Sequence, residues 1–487
     1  MSETLTALDG TFLELEESSE GALMHIGGVL VFDPRPDGTV PSIGEVRALV
    51  QSRLTALPRF SRRLSDERTA RWAWPRWVPD ERFRLADHIR RAALPVPGGE
   101  AELHDWISDF FSHRLDRTCP LWEMVLIEGL QGGRWALAQK VHHCLVDGAS
   151  SVGVSELLLD ADPTPGPSLP RFPVPDGLPT GWQSLLPSPP APVVQASHAG
   201  AEVVTATLRA LVRPYETLAR SRMLAELILA DEVNGAPHCS LNGPIGPSRR
   251  YAPVSCALDD LLAIRAALGG SMNDAALAVC TAGLRRLLIE RDESLPRAGV
   301  RAMVPVNLRD ATESLTLGNR IGSLFVELPV AEPLAQVCHR QIVERTGELK
   351  RRDAGGASAT MVDLASLAPP LVHVALARLL YGTRLFNVTI TNVRGAGGPR
   401  YAFGARLRDV HPIVPLAAEH RVGIAIVSHD GRVTFGINCD RESTPDLEAV
   451  VRGMRDGLDD LLAAAGGPRH YGRQAEKLAT STTPRSA

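Results

Sequence analysis

Two adjacent histidines followed at a fixed interval by Asp-Gly form the most chemically suggestive pattern in the chain. They lie in Trp135-Ala-Leu-Ala-Gln-Lys-Val-His-His-Cys-Leu-Val-Asp-Gly-Ala-Ser. Residue usage here gives ~0.002 chance occurrences of His-His-x-x-x-Asp-Gly in such a length, so the pattern is a specific signal. A histidine at a strand end beside a turn, with an ordinary pKa near ~6.5, suits general-base work on an alcohol at neutral pH. Consecutive strand residues point to opposite faces, so only one of His142 and His143 can face a given cavity. That divergence disfavours a metal site, which needs convergent ligands and further donors nearby. Asp147 can accept a hydrogen bond within its turn or pair with a cation elsewhere. Cys144 points away from the side chain it would need as a nucleophile, and reads as a packing thiol. Gly148-Ala-Ser-Ser-Val-Gly has the wrong spacing for a nucleophile elbow. The sequence contains neither a P-loop lysine motif nor Gly-x-Gly-x-x-Gly.

The elements that must position these residues can be read from periodicity and punctuation. Trp135–His143 and Ile26–Phe32 read as strands, and Ser42–Leu57 as a helix. A second helix is expected from Gly148 through Ser150 to Leu159. From Asp160 to Pro192 the chain is too proline-dense for a helix or a central strand, which marks an extended linker. Ala196–Val233 then has helical character, with Val204, Leu208, Leu211, Tyr215 and Leu218 at three- and four-residue steps. An inter-lobe helix with a solvated basic face is preferred there to a membrane-binding one. Asn242-Gly-Pro-Ile-Gly-Pro opens a second lobe. In it, Asn273–Glu290 places Leu277, Leu284, Leu287 and Leu288 on one helix face. Strands are expected at Val300–Val306, Ser323–Leu328, Phe386–Thr391, Val422–Ser428 and Val433–Asn438, the last two flanking the hairpin signal His429-Asp-Gly-Arg. The result is an α/β chain with mixed sheets: a lobe at 1–160, a linker and helix at 161–240, a lobe at 241–466 and a disordered tail at 467–487.

Bulk properties remove several function classes. At 487 residues the chain is too long for one ordinary core. A formal charge of -4 gives no general basic field, so nucleic acid is not an expected partner. The start carries no basic cluster before an apolar run and does not read as a secretory signal. The most apolar tract, Leu364–Tyr381, contains Pro369, Pro370, His373 and Arg378, which argues for a buried or tunnel-lining segment over a membrane span. The seven cysteines are scattered without a CxxC pair, which fits reduced thiols in the cytoplasm.

With these residues in place, the chain resembles the bacterial wax ester synthase/diacylglycerol acyltransferase family, similar in fold to chloramphenicol acetyltransferase. Leu8-Asp9 with Phe12 looks like that family's opening, and Pro120-Leu-Trp-Glu123 like its block before the histidines. Asn273-Asp274, Val304-Pro-Val-Asn-Leu-Arg309, Gly318-Asn319 and Ser428-His-Asp-Gly431 fit later blocks in order. Thr391-Asn-Val-Arg394-Gly departs from the usual serine-asparagine-valine-proline-glycine-proline. Arginine for proline changes local rigidity and charge, and bears on acceptor preference more than on reaction type.

The resemblance implies two similar lobes with an active-site tunnel between them. It implies acyl-CoA as co-substrate with no bound cofactor or metal, and a lipid alcohol as acceptor, either diacylglycerol or a long-chain alcohol. His143 would be the general base and His142 a supporting residue. Asn273 would position the reacting centre or stabilise the transition state, unless it only caps its helix. Asp147 would hold the loop by pairing with Arg309, and Trp122 and Glu123 would pack and hold loops. Peripheral association with a membrane or lipid droplet follows from the substrates. Two other readings stay open: a condensation-type acyltransferase using a carrier-bound donor, and a catalytically silent lipid-binding protein. The Asp147–Arg309 pair has its own test. Breaking a buried pair costs ~3–5 kcal/mol, so Asp147→Asn and Arg309→Gln should each lower the Tm. The double variant should lose less than the sum, and strict additivity would show that the two residues do not touch.

Overall fold

The computed structural model describes residues 3–54, 57–65, 75–146, 158–164, 235–307, 321–353, 385–395, 397–467 and 470. Most of the expected helix at 148–159, the expected helix at 196–233, most of the linker, the apolar tract at 364–381 and the tail beyond 470 lie outside them, while Leu158 and Leu159 are not helical.

Among these residues the strands are β1 Glu3–Thr4, β2 His25–Phe32, β3 Arg62–Leu64, β4 Arg76–Pro79, β5 Ile89–Ala93, β6 Trp122–Glu128, β7 Trp135–His142, β8 Arg249–Ala257, β9 Val300–Asn307, β10 Ile321–Leu328, β11 Val388–Arg394, β12 Tyr401–Ala402, β13 Ala405–Ile413, β14 Val422–His429 and β15 Arg432–Asp440. The helices are α1 Ala7–Ser18, α2 Ile43–Arg53, α3 Leu85–His88, α4 Glu100–Phe111, α5 Leu258–Leu268, α6 Met272–Glu290, α7 Ala335–Asp353 and α8 Leu447–Ala464. Two mixed six-stranded sheets form the lobes, in the orders β12-β13-β2-β7-β6-β5 and β10-β9-β11-β14-β15-β8. A small sheet, β1-β4-β3, flanks the first.

Local chemistry accounts for the boundaries. Ser42 caps α2 reciprocally with Glu45, so this helix begins where the sequence predicts and ends at Arg53, short of Leu57. The predicted hairpin is present: Asp430 and Gly431 take φ of 45° and 75°, as a two-residue turn of this kind requires. In the first sheet, alternation sends Leu30, Phe32 and Met124 to one face with Val46 of α2. Val29, Val31 and Ile127 go to the other face, with Leu103 and Ile107 of α4. The second lobe buries Leu277, Leu284, Leu287 and Leu288 of α6 against Val450 and Met454 of α8 and the sheet residues Ile424 and Phe435.

The lobe expected at 241–466 is not self-contained. β13 leaves it and pairs antiparallel with β2, so the first sheet is completed from the far end of the sequence. Alternation within a strand shows which residues face a core, but not which sheet the strand joins. Where this excursion crosses the second sheet, a Cβ on Gly436 would lie 2.1 Å from Pro412 O and 2.9 Å from the Tyr251 hydroxyl. Gly436→Ala should therefore force the crossing apart and destabilise the fold by about 1–3 kcal/mol. Chemical denaturation checks this, and a parent-like midpoint would show that the crossing tolerates a methyl group.

Candidate active site

The site is built on the end of β7. His142 closes the strand opposite His25 of β2. The chain then turns, with His143 N–H donating to Met24 O (2.8 Å) and Leu145 N–H to His142 O (2.9 Å). His142 is buried and His143 half-buried, so the two rings are in different environments, as their opposite directions predict.

The two nitrogens of the His142 ring meet different partners. Nδ1 accepts from Cys144 N–H at 3.1 Å, which leaves the proton of the neutral ring on Nε2. Nε2 lies 3.5 Å from Glu16 Oε2 on α1, and His25 Nε2 lies 3.3 Å from Glu16 Oε1. Both contacts are longer than an ordinary hydrogen bond, with the carboxylate facing the two ring nitrogens. Arg117 completes the cluster, with Nη2 2.6 Å from Glu16 Oε2. Burial pushes the Glu16 carboxyl upward, but its interactions with His142 and His25 outweigh this and hold it far below the usual carboxylate range. Burial lowers His25 to about 4 despite Glu16, so that ring is neutral at ordinary pH. The His143 ring stacks on Phe12 of α1, centroids 3.9 Å apart and planes 18° apart.

Cys144 is fully buried. Burial pushes its thiol well above the ordinary range, so it stays protonated and is no thiolate nucleophile. Lys140 of β7 is also fully buried, donating to Phe110 O (2.8 Å) and His113 O (3.0 Å) at the carboxyl end of α4. A cation there complements the helix dipole. Lys140 also pairs with Glu123, which is shared with Arg90. The Trp122 indole donates to Phe60 O at 2.7 Å. The Pro120–Glu123 block therefore braces β6 and its surroundings.

Asn273 lies in the second lobe. Ser271, not Asn273, caps α6, in a reciprocal box with Asp274. The Asn273 side chain is thus not used for capping, and its Oδ1 accepts from Asn392 Nδ2 at 3.1 Å. This brings the Asn273-Asp274 block to the 391–395 block. The latter ends β11, which runs parallel to β9 and β14. The blocks at 304–307, 391–395 and 428–431 consequently sit together at the carboxyl ends of three neighbouring parallel strands, where open α/β sheets place ligands. Asp147 and Arg309 lie outside the described residues. Among the described residues, no three His, Cys, Asp or Glu side chains converge to hold a metal ion. Sequence reading missed Glu16, His25, Arg117 and Asn392. Two of them carried a signal: Glu16 lies four residues after Phe12 and therefore on the same helix face, and Asn392 lies within the Thr391–Gly395 block.

The comparisons with known proteins bear on the same regions. Residues 5–276 match the wax ester synthase/diacylglycerol acyltransferase catalytic domain, and residues 317–462 match the C-terminal domain of that family. A probable diacylglycerol O-acyltransferase of Mycobacterium tuberculosis is 31% identical over 468 residues, covering 94% of this chain and 96% of the relative. The solved wax ester synthase/diacylglycerol acyltransferase of Marinobacter aquaeolei is 28% identical, with a TM-score of 0.67 over 95% of this chain and 100% of that one. A starter condensation domain of rhizomide synthetase shares the fold at 13% identity, with a TM-score of 0.59 over 96% of this chain and 95% of that one. Matched by both domains of one family, and by relatives along nearly its whole length, the chain belongs to the wax ester synthase/diacylglycerol acyltransferase family.

Proposed function

We propose that this protein transfers a fatty acyl group from acyl-CoA to the hydroxyl of diacylglycerol, and also to long-chain alcohols, with His143 as general base. The observation that carries the assignment is the division between the two histidines. His142 is buried, with Nδ1 hydrogen-bonded and Nε2 facing the Glu16 carboxylate, whereas His143 is half-buried at the strand end. A base must reach its substrate, and of the two rings His143 is the accessible one.

In this mechanism the acceptor oxygen attacks the thioester carbonyl while His143 takes its proton. The tetrahedral species collapses as the C–S bond breaks, and the imidazolium returns the proton to the leaving thiolate. No acyl-enzyme forms, because the thioester is already activated. The buried, protonated Cys144 thiol fits that direct route. Asn273, held by Asn392, positions the reacting centre from the second lobe. The acyl donor and the acceptor would meet in a tunnel between the lobes, with acyl-CoA a co-substrate and no bound cofactor required.

Single-turnover transfer and acyl-CoA binding, measured on variants, test this directly. His143→Ala should still bind acyl-CoA while transfer falls by ~10²–10⁴-fold. His142→Ala should harm folding more than chemistry, and Cys144→Ala should retain most activity. In the parent the rate should fall as acid protonates the His143 base, and level off above its pKa. A His143 variant that turns over like the parent would remove the base, and an acyl group trapped on Cys144 would replace direct attack by a two-step route.

Among the described residues, no helix is long and apolar enough to cross a membrane. The proposed substrates are nonetheless poorly soluble, so the enzyme would bind membranes or lipid droplets peripherally from the cytoplasm. It should then be released by a high-salt or carbonate wash, and full retention in the pellet after both would contradict this.

A further inference from the structure

Two side chains one helical turn apart on α1 meet the two histidines. Phe12 stacks on the His143 ring, and Glu16 places its carboxylate 3.5 Å from Nε2 of His142. Residues at i and i+4 share a helix face, so one rigid surface contacts both rings. From this juxtaposition we propose that Phe12 and Glu16 are positioning residues for acyl transfer. Phe12 orients the His143 ring directly, and Glu16, acting through His142, fixes the turn that carries it. The inference rests on His143 being the base.

The His142 ring is a brace of that turn, because its Nδ1 accepts the Cys144 N–H one residue beyond His143. This holds only while Nδ1 is unprotonated. The other tautomer, or the imidazolium, would set one donor against another and release the turn. A carboxylate beside Nε2 selects the tautomer that keeps the brace, as partners of a functional histidine commonly do. Catalytic bases are often oriented by a third group. Here that group acts on the neighbouring ring.

The helix that delivers these residues is itself fixed. Thr6 caps its start by accepting from Asp9 N–H at 3.1 Å. Arg114 donates to the carbonyls of Glu16 and Ser19 (2.9 and 3.0 Å), and Arg117 bonds both Glu16 and Glu17. A helix that only covered the sheet could fill the Glu16 position with a leucine. A buried carboxylate carries a desolvation cost that covering alone does not explain.

The charged and titratable groups acting on Cys144 of the turn and on His25 beside it are Asp9 and Glu16 of α1, Arg117 after α4, Arg59 before β3, Lys140 of β7 and His142. Glu16→Gln removes one negative charge from this set. The field at His143 becomes more positive, its imidazolium becomes harder to form, and the acid limb of the rate moves to lower pH.

The test uses the full chain with palmitoyl-CoA and dioleoylglycerol in detergent micelles, reading single-turnover transfer against pH, palmitoyl-CoA binding and Tm. Glu16→Gln should lower transfer by about 10- to 100-fold, move the acid limb to lower pH and leave palmitoyl-CoA binding unchanged. Glu16→Asp, which keeps the charge, should return the limb and part of the rate. Phe12→Leu should lower transfer by about tenfold with the limb in place. A lower Tm with parent-like transfer and limb in Glu16→Gln would reduce Glu16 to a structural residue and overturn the inference. If Glu16→Gln does not fold, Phe12→Leu decides, and a parent-like rate there overturns it. His143→Ala, measured alongside, separates the two failures. Retained transfer in that variant removes the base itself, whereas a dead His143 variant beside an unaltered Glu16→Gln removes only the positioning role.

Discussion

The register between β2 and β7 is the constraint on which the site depends. It sets His25 opposite His142 and Gly27 opposite Lys140. A slip of one residue would exchange the two faces of β7, turning Lys140 and His142 away from the carboxylates that receive them. Sequence enforces the register at Gly27, where a Cβ would lie 2.0 Å from Gln139 O, so this place in the strand accepts no side chain. One pairing thus fixes the buried cluster, the turn after it and the direction in which His143 points.

Charges buried along these strands serve as joints between elements. Lys140 ties β7 to the carboxyl end of α4. Arg249 of β8, also buried, donates to Gly21 O just after α1 and to Gly246 O (2.6 Å), linking the second sheet to the first lobe. Ser108 of α4 and Ser112 at its carboxyl end accept the N–H groups of Tyr251 and Arg249, at 3.0 and 2.8 Å, so the edge of β8 is sealed by a helix of the other lobe. Buried ions of this kind add little net stability but penalise any arrangement in which they lose their partners. Here they define how the lobes meet.

Local signals in the sequence were reliable where the cause was local. The Asp-Gly hairpin, the leucine face of α6, the Ser42 start of α2 and the burial of Cys144 all follow from residues within a few positions of each other. That the two histidines would face different environments was legible for the same reason, since adjacent strand residues must diverge, whereas the choice of His143 as base came from the family resemblance. His25 and Arg117 were not, because a tertiary cluster has no spacing rule and each residue alone resembles a core histidine or an ordinary surface charge, and the helical spacing of Glu16 from Phe12 does not show what its carboxylate meets. Asn273 was legible as a residue of interest but not in its use, because Ser271, two positions earlier, takes the capping role that asparagine often fills. β13 at Ala405–Ile413 was missed altogether, and with it the strand that completes the first sheet.

That last feature governs how the molecule can be made. A ribosome releases β2 and β7 early, but the strand that covers the other side of β2 leaves the exit tunnel only after most of the second lobe has been synthesised. Until then β2 presents a bare, apolar edge, the kind that recruits strands from other chains. Lobe one therefore cannot mature as a vectorial, co-translational unit. The nascent protein must wait in a partly open state, and chaperones have a defined target in the unfilled groove beside β2. Gene truncations that keep every residue of the histidine turn but stop before Ile413 would yield an insoluble fragment instead of a weakened enzyme.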